Sequence, residues 1–369
     1  MPDPQLTRRL RLARVRTAML EQGVDALLLS LGADLPWITG YDAMPLERLT
    51  MLVLPVDAEP TLVVPRMEAP RVKHDSELFA MRPWNEHESP TAIVAELVGA
   101  RTKLAISDRC WSTFLIDLET LLPKASFRQA STVTSALRAQ KDAAEIAALT
   151  RAGAAADVVA AQLHGGEIAL IGRTEAAVSA DISQRLLDAG HDIVNFAIVA
   201  AGSNAASPHH HASDRVIAAG EVVLCDFGGT MDGYCSDITR CIYTGEAPTE
   251  FSEMYDVLMA SQAAGVAAGT LGTPCQGVDQ ASRRVIVDAG FGAQFIHRTG
   301  HGIGMEAHED PYMVEGNVTP LVAGHAYSVE PGIYFAGKWG MRLEDIVVAS
   351  NDGPVALNTA DHRLIVVDA

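Results

Sequence analysis

Apolar residues recur at helical spacing over residues 6–22, and the chain then enters VDALLLS at 24–30, an apolar run with the length of a buried strand. Strand-like runs follow at 50–54, 61–64 and 103–107, and helical patterns at 90–98 and 112–121. This alternation predicts a self-contained α/β unit. From 131 to 164 the chain is alanine-rich and helical in pattern, with Lys141 and Glu145 spaced to pair across one turn and Gly165-Gly166 as a stop. The domain boundary falls near 132, giving units at 1–132 and 133–369.

In the second unit, Thr174 is a plausible N-cap for a helix whose Val178, Ile182 and Leu186 share one face, closed by Gly190. Further helices are expected at 250–268 and 276–289. Between these lie two strand-turn-strand segments, each carrying a pair of acids. In VVLCDFGGTMDGYCSDITR (222–240) the Asp232-Gly233 turn signal brings Asp226 and Asp237 onto adjacent strands. The segment from 327 to 348 repeats the design with Glu330 and Glu344, so that four carboxylates converge.

Length changes the picture little: 369 residues suit two domains of roughly 100 to 200 residues each. Apolar residues at 48% and charged residues at 20% describe a foldable chain. Lys plus Arg number 28 against 46 for Asp plus Glu, a formal charge of -18 that disfavours nucleic acid and anionic membrane as partners. The five cysteines have no metal-binding spacing, and an odd number suits a reducing compartment. The N-terminus lacks an apolar signal core, and no run approaches the roughly 20 apolar residues of a membrane span, so a cytoplasmic location is expected.

Four converging carboxylates repel one another and are costly to desolvate, so they need cations or retained protons. With the neutral imidazole of His301 they carry four negative charges, which two divalent ions and a bridging hydroxide nearly balance. Oxygen donors with one imidazole favour Mn²⁺, with Co²⁺ or Zn²⁺ as substitutes. Around His301 the segment HRTGHGIGMEAHEDP (297–311) adds His297 and His308 among glycines. Arg342 lies two residues before Glu344, on the same side of a strand, and is expected to orient a ligand carboxylate.

These motifs, DFGGTMDGYCSDITR, GHGIGMEAHE, EPGIY and RLED, resemble the creatinase/aminopeptidase P/prolidase family over essentially the whole chain. The resemblance implies an α+β protein: a C-terminal pita-bread catalytic domain preceded by a smaller α/β creatinase-like domain. It implies metal ligands Asp226, Asp237, His301, Glu330 and Glu344, with Asp237 and Glu344 bridging two ions. It further implies a ring of histidines around the ligands at His209, His297 and His308, of which His308 and His297 donate to the tetrahedral oxygen and the departing nitrogen, a further hydroxyl from Tyr334, and Glu330 as general base. His210 and His211 receive no role. The implied reaction is hydrolysis of the bond preceding proline in a di- or oligopeptide, by a metal-bridging hydroxide. Alternatives are a non-catalytic binding protein or another hydrolase or lyase on this fold. Prolidases tend to have an arginine where this chain has Tyr312, which leaves dipeptidase and aminopeptidase activity both open.

An N-terminal unit that supplies no ligand is expected to do something else. The aromatics of the loop LPWITGY (35–41), Trp37 and Tyr41, are expected to be exposed as interface anchors, with a small hydrophobic cluster inside the unit as the equal alternative for Trp37 alone. Related enzymes associate through this domain, so the resemblance implies a homodimer or larger assembly in which this unit helps close a neighbour's active site.

Overall fold

In the computed structural model, which describes residues 4–367, the chain divides between Leu137 and Arg138. The first unit holds helices α1 (Pro4–Gln22), α2 (Asp34–Thr39), α3 (Pro90–Val98) and α4 (Ser112–Leu121). Its strands are β1 (Ala26–Leu29), β2 (Met51–Pro55), β3 (Thr61–Pro65), β4 (Ala80–Trp84), β5 (Lys103–Ile106) and β6 (Ser126–Gln129), in sheet order β4-β3-β2-β1-β5-β6. β1 is central, antiparallel to β2 and parallel to β5, and buried throughout. A strand covered on both faces must be apolar at every position, which is why it reads as a run without alternation.

The 35–41 segment departs from expectation. Residues 34–39 form the short helix α2, closed by Gly40 in the left-handed conformation at φ 72°, and Trp37 and Tyr41 are only 1% and 6% exposed. The Arg11 guanidinium lies 5.0 Å over the Trp37 ring and donates to its carbonyl. These aromatics belong to the core and offer no exposed anchor.

The predicted continuous helix over 131–164 is two helices, α5 (Ser131–Ala139) and α6 (Ala143–His164). Asp142 breaks it by acting as the N-cap of α6: its side chain accepts from Ala144 and Glu145 N–H, and the Glu145 carboxylate accepts in return from Asp142 N–H. Glu145 is therefore not paired with Lys141, whose ammonium turns to Glu309 and the Arg138 carbonyl. α6 is long and apolar enough to cross a membrane by length and composition, against the sequence reading, but 56% of that stretch is buried inside the fold. It is a core helix.

The second unit continues with α7 (Glu175–Asp188), α8 (Thr249–Ala268) and α9 (Cys275–Asp288). Its strands are β7 (Ile193–Ala201), β8 (Val222–Met231), β9 (Tyr234–Cys235), β10 (Ile238–Thr244), β11 (Gly300–Gly302), β12 (Glu309–Met313), β13 (Ala326–Val329), β14 (Gly332–Phe335), β15 (Trp339–Arg342), β16 (Asp345–Ser350), β17 (Gly353–Ala356) and β18 (Ile365–Val367). They form sheets in the orders β18-β10-β8-β7, with β9 on β8, and β12-β11-β13-β16-β17, plus the ribbon β14-β15.

Strand alternation sorts β8 between two cores. Val223, Cys225 and Phe227 pack with Leu163, Val178, Ile182 and Leu186 of α6 and α7. Val222 and Leu224 pack on the other face with Tyr255, Leu258, Ile286 and Leu343. The α7 stripe forms as predicted: Thr174 caps it by accepting from Ala177 N–H, and Val178, Ile182 and Leu186 are fully buried, each stabilising by about 1.5–3 kcal/mol. Asp226, on the second face of β8, is thereby carried towards the second sheet.

Candidate metal centre

The first acid pair is built by a two-residue turn. Asp232 and Gly233 both have positive φ, 52° and 79°, matching the type I′ geometry that suits the twist of paired strands. The ladder places Asp226 opposite Thr239, with Asp237 just ahead of β10. Between them the Ser236 peptide crosses Gly228 so closely that a Cβ there would sit 2.1 Å from the Ser236 oxygen. Only glycine permits that approach.

The second pair uses two nested hairpins. β13 pairs with β16 and β14 with β15, which leaves Glu330 at the β13–β14 junction and Glu344 at the β15–β16 junction. A single bridge, Thr239 to Glu344, ties this arrangement to the first sheet, and the Thr239 hydroxyl donates to Glu344 Oε2 at 2.6 Å. The acid pairs thus meet across Thr239 and through Arg342, whose guanidinium reaches Asp226.

His301, on β11, completes the cluster. Its Nδ1 lies 3.1 Å from the Gly302 carbonyl and so carries the proton, leaving the Nε2 lone pair 3.2 Å from Glu330 Oε1 and 3.7 Å from Asp237 Oδ2. The Ser328 hydroxyl accepts from His301 N–H and donates to Glu330 Oε1. Ligating atoms of Asp237, His301 and Glu344 all lie within 4.8 Å of one another. Asp226 Oδ1 and Asp237 Oδ1 are buried without a hydrogen-bond partner.

The electrostatics point the same way. Burial, then the charge of Glu344, hold Asp237 well above the usual carboxylate range; burial, then Glu330 and Asp226, do the same to Glu344. Burial, aided by Asp226, pushes Glu330 up to about 7. Burial, with His308 beside it, lowers His301 to about 3, so the imidazole is neutral and its lone pair available. Acids resisting ionisation, a neutral imidazole and orphaned oxygens in one place fit divalent cations, which would relieve all three conditions.

These five side chains open onto a cavity of about 740 Å³, which His209, His297, His308 and Arg342 also line, with Phe196, Ile198 and Ile296 as its apolar wall. The histidines differ in their freedom. His209 and His308 have no side-chain hydrogen bond among the described residues, and the His308 ring lies 4.0 Å from that of His301. His297 has both nitrogens engaged, Nδ1 with the Arg298 carbonyl at 2.7 Å and Nε2 with the Tyr334 hydroxyl at 3.1 Å, and burial lowers it to about 4. Tyr334 is buried behind the wall and its hydroxyl accepts from Arg342 Nη1 at 2.8 Å.

Arg342 does hold a site carboxylate, but through Asp226, whose Oδ2 is 2.5 Å from Nη2, and not through its strand neighbour Glu344. Its Nε donates to the hydroxyl of Thr239, which relays to Glu344. Sequence reading missed Thr239 and Ser328. Each sits two residues from a site acid, at Asp237 and Glu330, so strand alternation was the available signal. Of the three adjacent histidines, His210 turns inward, its Nε2 2.8 Å from Glu175 Oε2.

Comparison with known proteins matches both units. Residues 138–351 match the family model described as Metallopeptidase family M24, and residues 11–140 that described as Creatinase/Prolidase N-terminal domain. The chain is 42% identical over 365 residues to the probable dipeptidase PepE of Mycobacterium tuberculosis, covering 98% of this chain and 96% of that one. It is 34% identical to the Xaa-Pro dipeptidase of Lactobacillus delbrueckii subsp. lactis, covering 93% and 95%. The crystal structure of dipeptidase PepE from Mycobacterium ulcerans superposes with a TM-score of 0.93 at 41% identity, covering 100% of both chains.

Proposed function

The chain belongs to metallopeptidase family M24 and has its pita-bread fold behind a creatinase/prolidase N-terminal domain, and from that membership we propose that it hydrolyses peptide bonds preceding proline, using two divalent ions, Mn²⁺ foremost and Co²⁺ or Zn²⁺ as substitutes. The observation that carries the reading is the convergence of Asp226, Asp237, His301, Glu330 and Glu344 on one cavity, with buried oxygens of both aspartates left without partners. Relatives named dipeptidase and Xaa-Pro dipeptidase support the substrate class.

Asp226, Asp237, His301, Glu330 and Glu344 are the residues that would hold the ions, four carboxylates and one neutral imidazole offering oxygen and nitrogen donors. Bound there, the ions would supply a Lewis acid for the scissile carbonyl and activate a water at neutral pH. The chain's own residues do the rest. Glu330, oriented by Ser328, takes the proton of the attacking water and returns it to the departing nitrogen. His308 and His209, whose nitrogens have no hydrogen-bond partner among the described residues, face the substrate as hydrogen-bond donors. His297, with both nitrogens committed, acts through Tyr334 and Arg342 to hold Asp226. Phe196, Ile198 and Ile296 give the proline ring an apolar wall.

The test is a profile of stripped enzyme, reloaded with Mn²⁺ or Co²⁺, on matched Xaa-Pro, Xaa-Pro-Yaa and Xaa-Ala peptides. Cleavage confined to the proline peptides is expected, and the first two separate dipeptidase from aminopeptidase action. Equal turnover of the Xaa-Ala series would overturn the substrate reading.

A further inference from the structure

The mechanism leaves unexplained why a wholly buried carboxylate lies behind the histidine-bearing edge of the cavity. Glu175 opens α7, where Thr174 already caps the helix, and its side chain is 0% exposed. It accepts from Ala201 N–H at 2.8 Å, from the Asn204 amide at 3.0 and 3.1 Å, from Ser213 N–H at 3.1 Å and from the Ser213 hydroxyl at 2.6 Å. His210 Nε2 lies 2.8 Å from it. Its position at a helix N-terminus favours the negative charge these donors surround.

All of those partners belong to one segment, residues 201–213. Beyond the single-turn helix at Gly202–Ala206 this segment has no regular structure, and Ala205 is its one fully buried apolar side chain past β7. Ser207, Pro208 and His209 of the same segment line the cavity, and the Pro208 carbonyl accepts from Arg342 Nη1 at 3.3 Å. His209 and His210 are adjacent, one facing the cavity and the other the buried acid. Consecutive Cα atoms are fixed about 3.8 Å apart, so whatever fixes His210 also limits where His209 can stand.

We infer that Glu175 is a positioning residue of the cavity: one buried carboxylate organises the 201–213 segment and, through His210, places the His209 imidazole against the substrate. The inference rests on the reading above in which His209 touches substrate. The third histidine, His211, is exposed and outside this arrangement.

The test is a double-mutant cycle of Glu175→Gln and His209→Ala on the metal-loaded enzyme, read as kcat/KM on an Xaa-Pro peptide, with a parallel NMR spectrum of the metal-free chain in which the His209 ring signal is identified by its loss in His209→Gln. Glu175→Gln is expected to lower kcat/KM by about tenfold or more, to make the His209→Ala loss several-fold smaller than in wild type, and to shift or broaden the His209 signal. Losses that simply multiply, or an unchanged kcat/KM in Glu175→Gln, would overturn the inference. If Glu175→Gln does not fold, His210→Ala, which spares the other contacts of Glu175, takes its place in the same cycle with the same outcomes. If His209→Ala alone leaves kcat/KM untouched, the substrate-contact reading has failed instead, and the NMR signal decides positioning: a moved signal supports it and an unmoved one overturns it.

Discussion

The guanidinium of Arg342 spans Asp226 and Tyr334, with Nη2 2.5 Å from the Asp226 carboxylate and Nη1 2.8 Å from the Tyr334 hydroxyl. The pair is almost wholly buried, with side-chain exposures of 3% and 10%. Removing one partner of such a pair strands the other's charge, so Arg342→Ala should cost about 3–5 kcal/mol in the metal-free chain. Arg342→Lys keeps the charge and loses the fork, and should cost less. Urea denaturation of both variants checks this, and a loss under about 1 kcal/mol for the alanine variant would show that Asp226 does not depend on Arg342.

Chelation should abolish peptide hydrolysis, and titrating Mn²⁺ back should restore it with a break at two equivalents per chain. Four acids facing one neutral imidazole, even with Arg342 balancing Asp226, carry more negative charge than one divalent ion offsets. Calorimetric titration alongside the activity assay reads both numbers. Full activity at a single equivalent would count against the two-ion reading.

Glu330→Gln preserves shape but removes the proposed base and one negative donor. Turnover should fall by more than tenfold, at least about 1.4 kcal/mol in barrier, with the circular dichroism spectrum unchanged. A variant keeping more than a tenth of the wild-type rate would remove Glu330 from the base role.

Glu330 also sets an expectation for pH. Its folded value of about 7 lies above its ordinary 4.5, so the folded metal-free chain binds a proton that the unfolded chain releases between those values. The stability this group contributes is complete below about 4.5 and is lost as pH rises through 7. Metal-free wild type should therefore lose stability relative to Glu330→Gln over that window, by up to about 1.4 kcal/mol per pH unit. Urea midpoints of the two proteins at pH 5, 6, 7 and 8 measure the difference, and a flat difference would refute the assignment.

Much of the site was legible because its acids sit in turn-defined segments: Asp232-Gly233 signals a hairpin locally, and a hairpin fixes which residues face one another. Helices with a clear stripe, such as that of Val178, Ile182 and Leu186, were legible for the same reason. What escaped depended on contacts distant in sequence. Whether Asp142 caps a new helix or continues an old one turns on where Lys141 finds its acid, and that acid is Glu309. Alternation placed Arg342 and Glu344 on one side, but the carboxylate within reach of the guanidinium came from β8, more than a hundred residues earlier. Trp37 looked like an interface anchor because proline and glycine stand near it; Pro36 lies in the first turn of a short buried helix instead, and Gly40 closes it. The expected homodimer thus loses its aromatic argument, and sedimentation of the intact chain is its direct test.

The contacts that join the two hairpins, Thr239 with Glu344, Arg342 with Asp226 and Arg240 with Asp345, each link residues more than a hundred positions apart, so the complete donor cluster is expected to form late in folding. Each hairpin can close locally within microseconds, yet neither holds a full set of donors, and their union must wait for the slow, entropically expensive encounter of segments far apart along the chain. An ion added to a refolding chain would meet isolated acid pairs until that encounter is complete. Ion capture at the full cluster is therefore expected to clock the last step of assembly and to lag behind the helix and sheet signals in a refolding experiment.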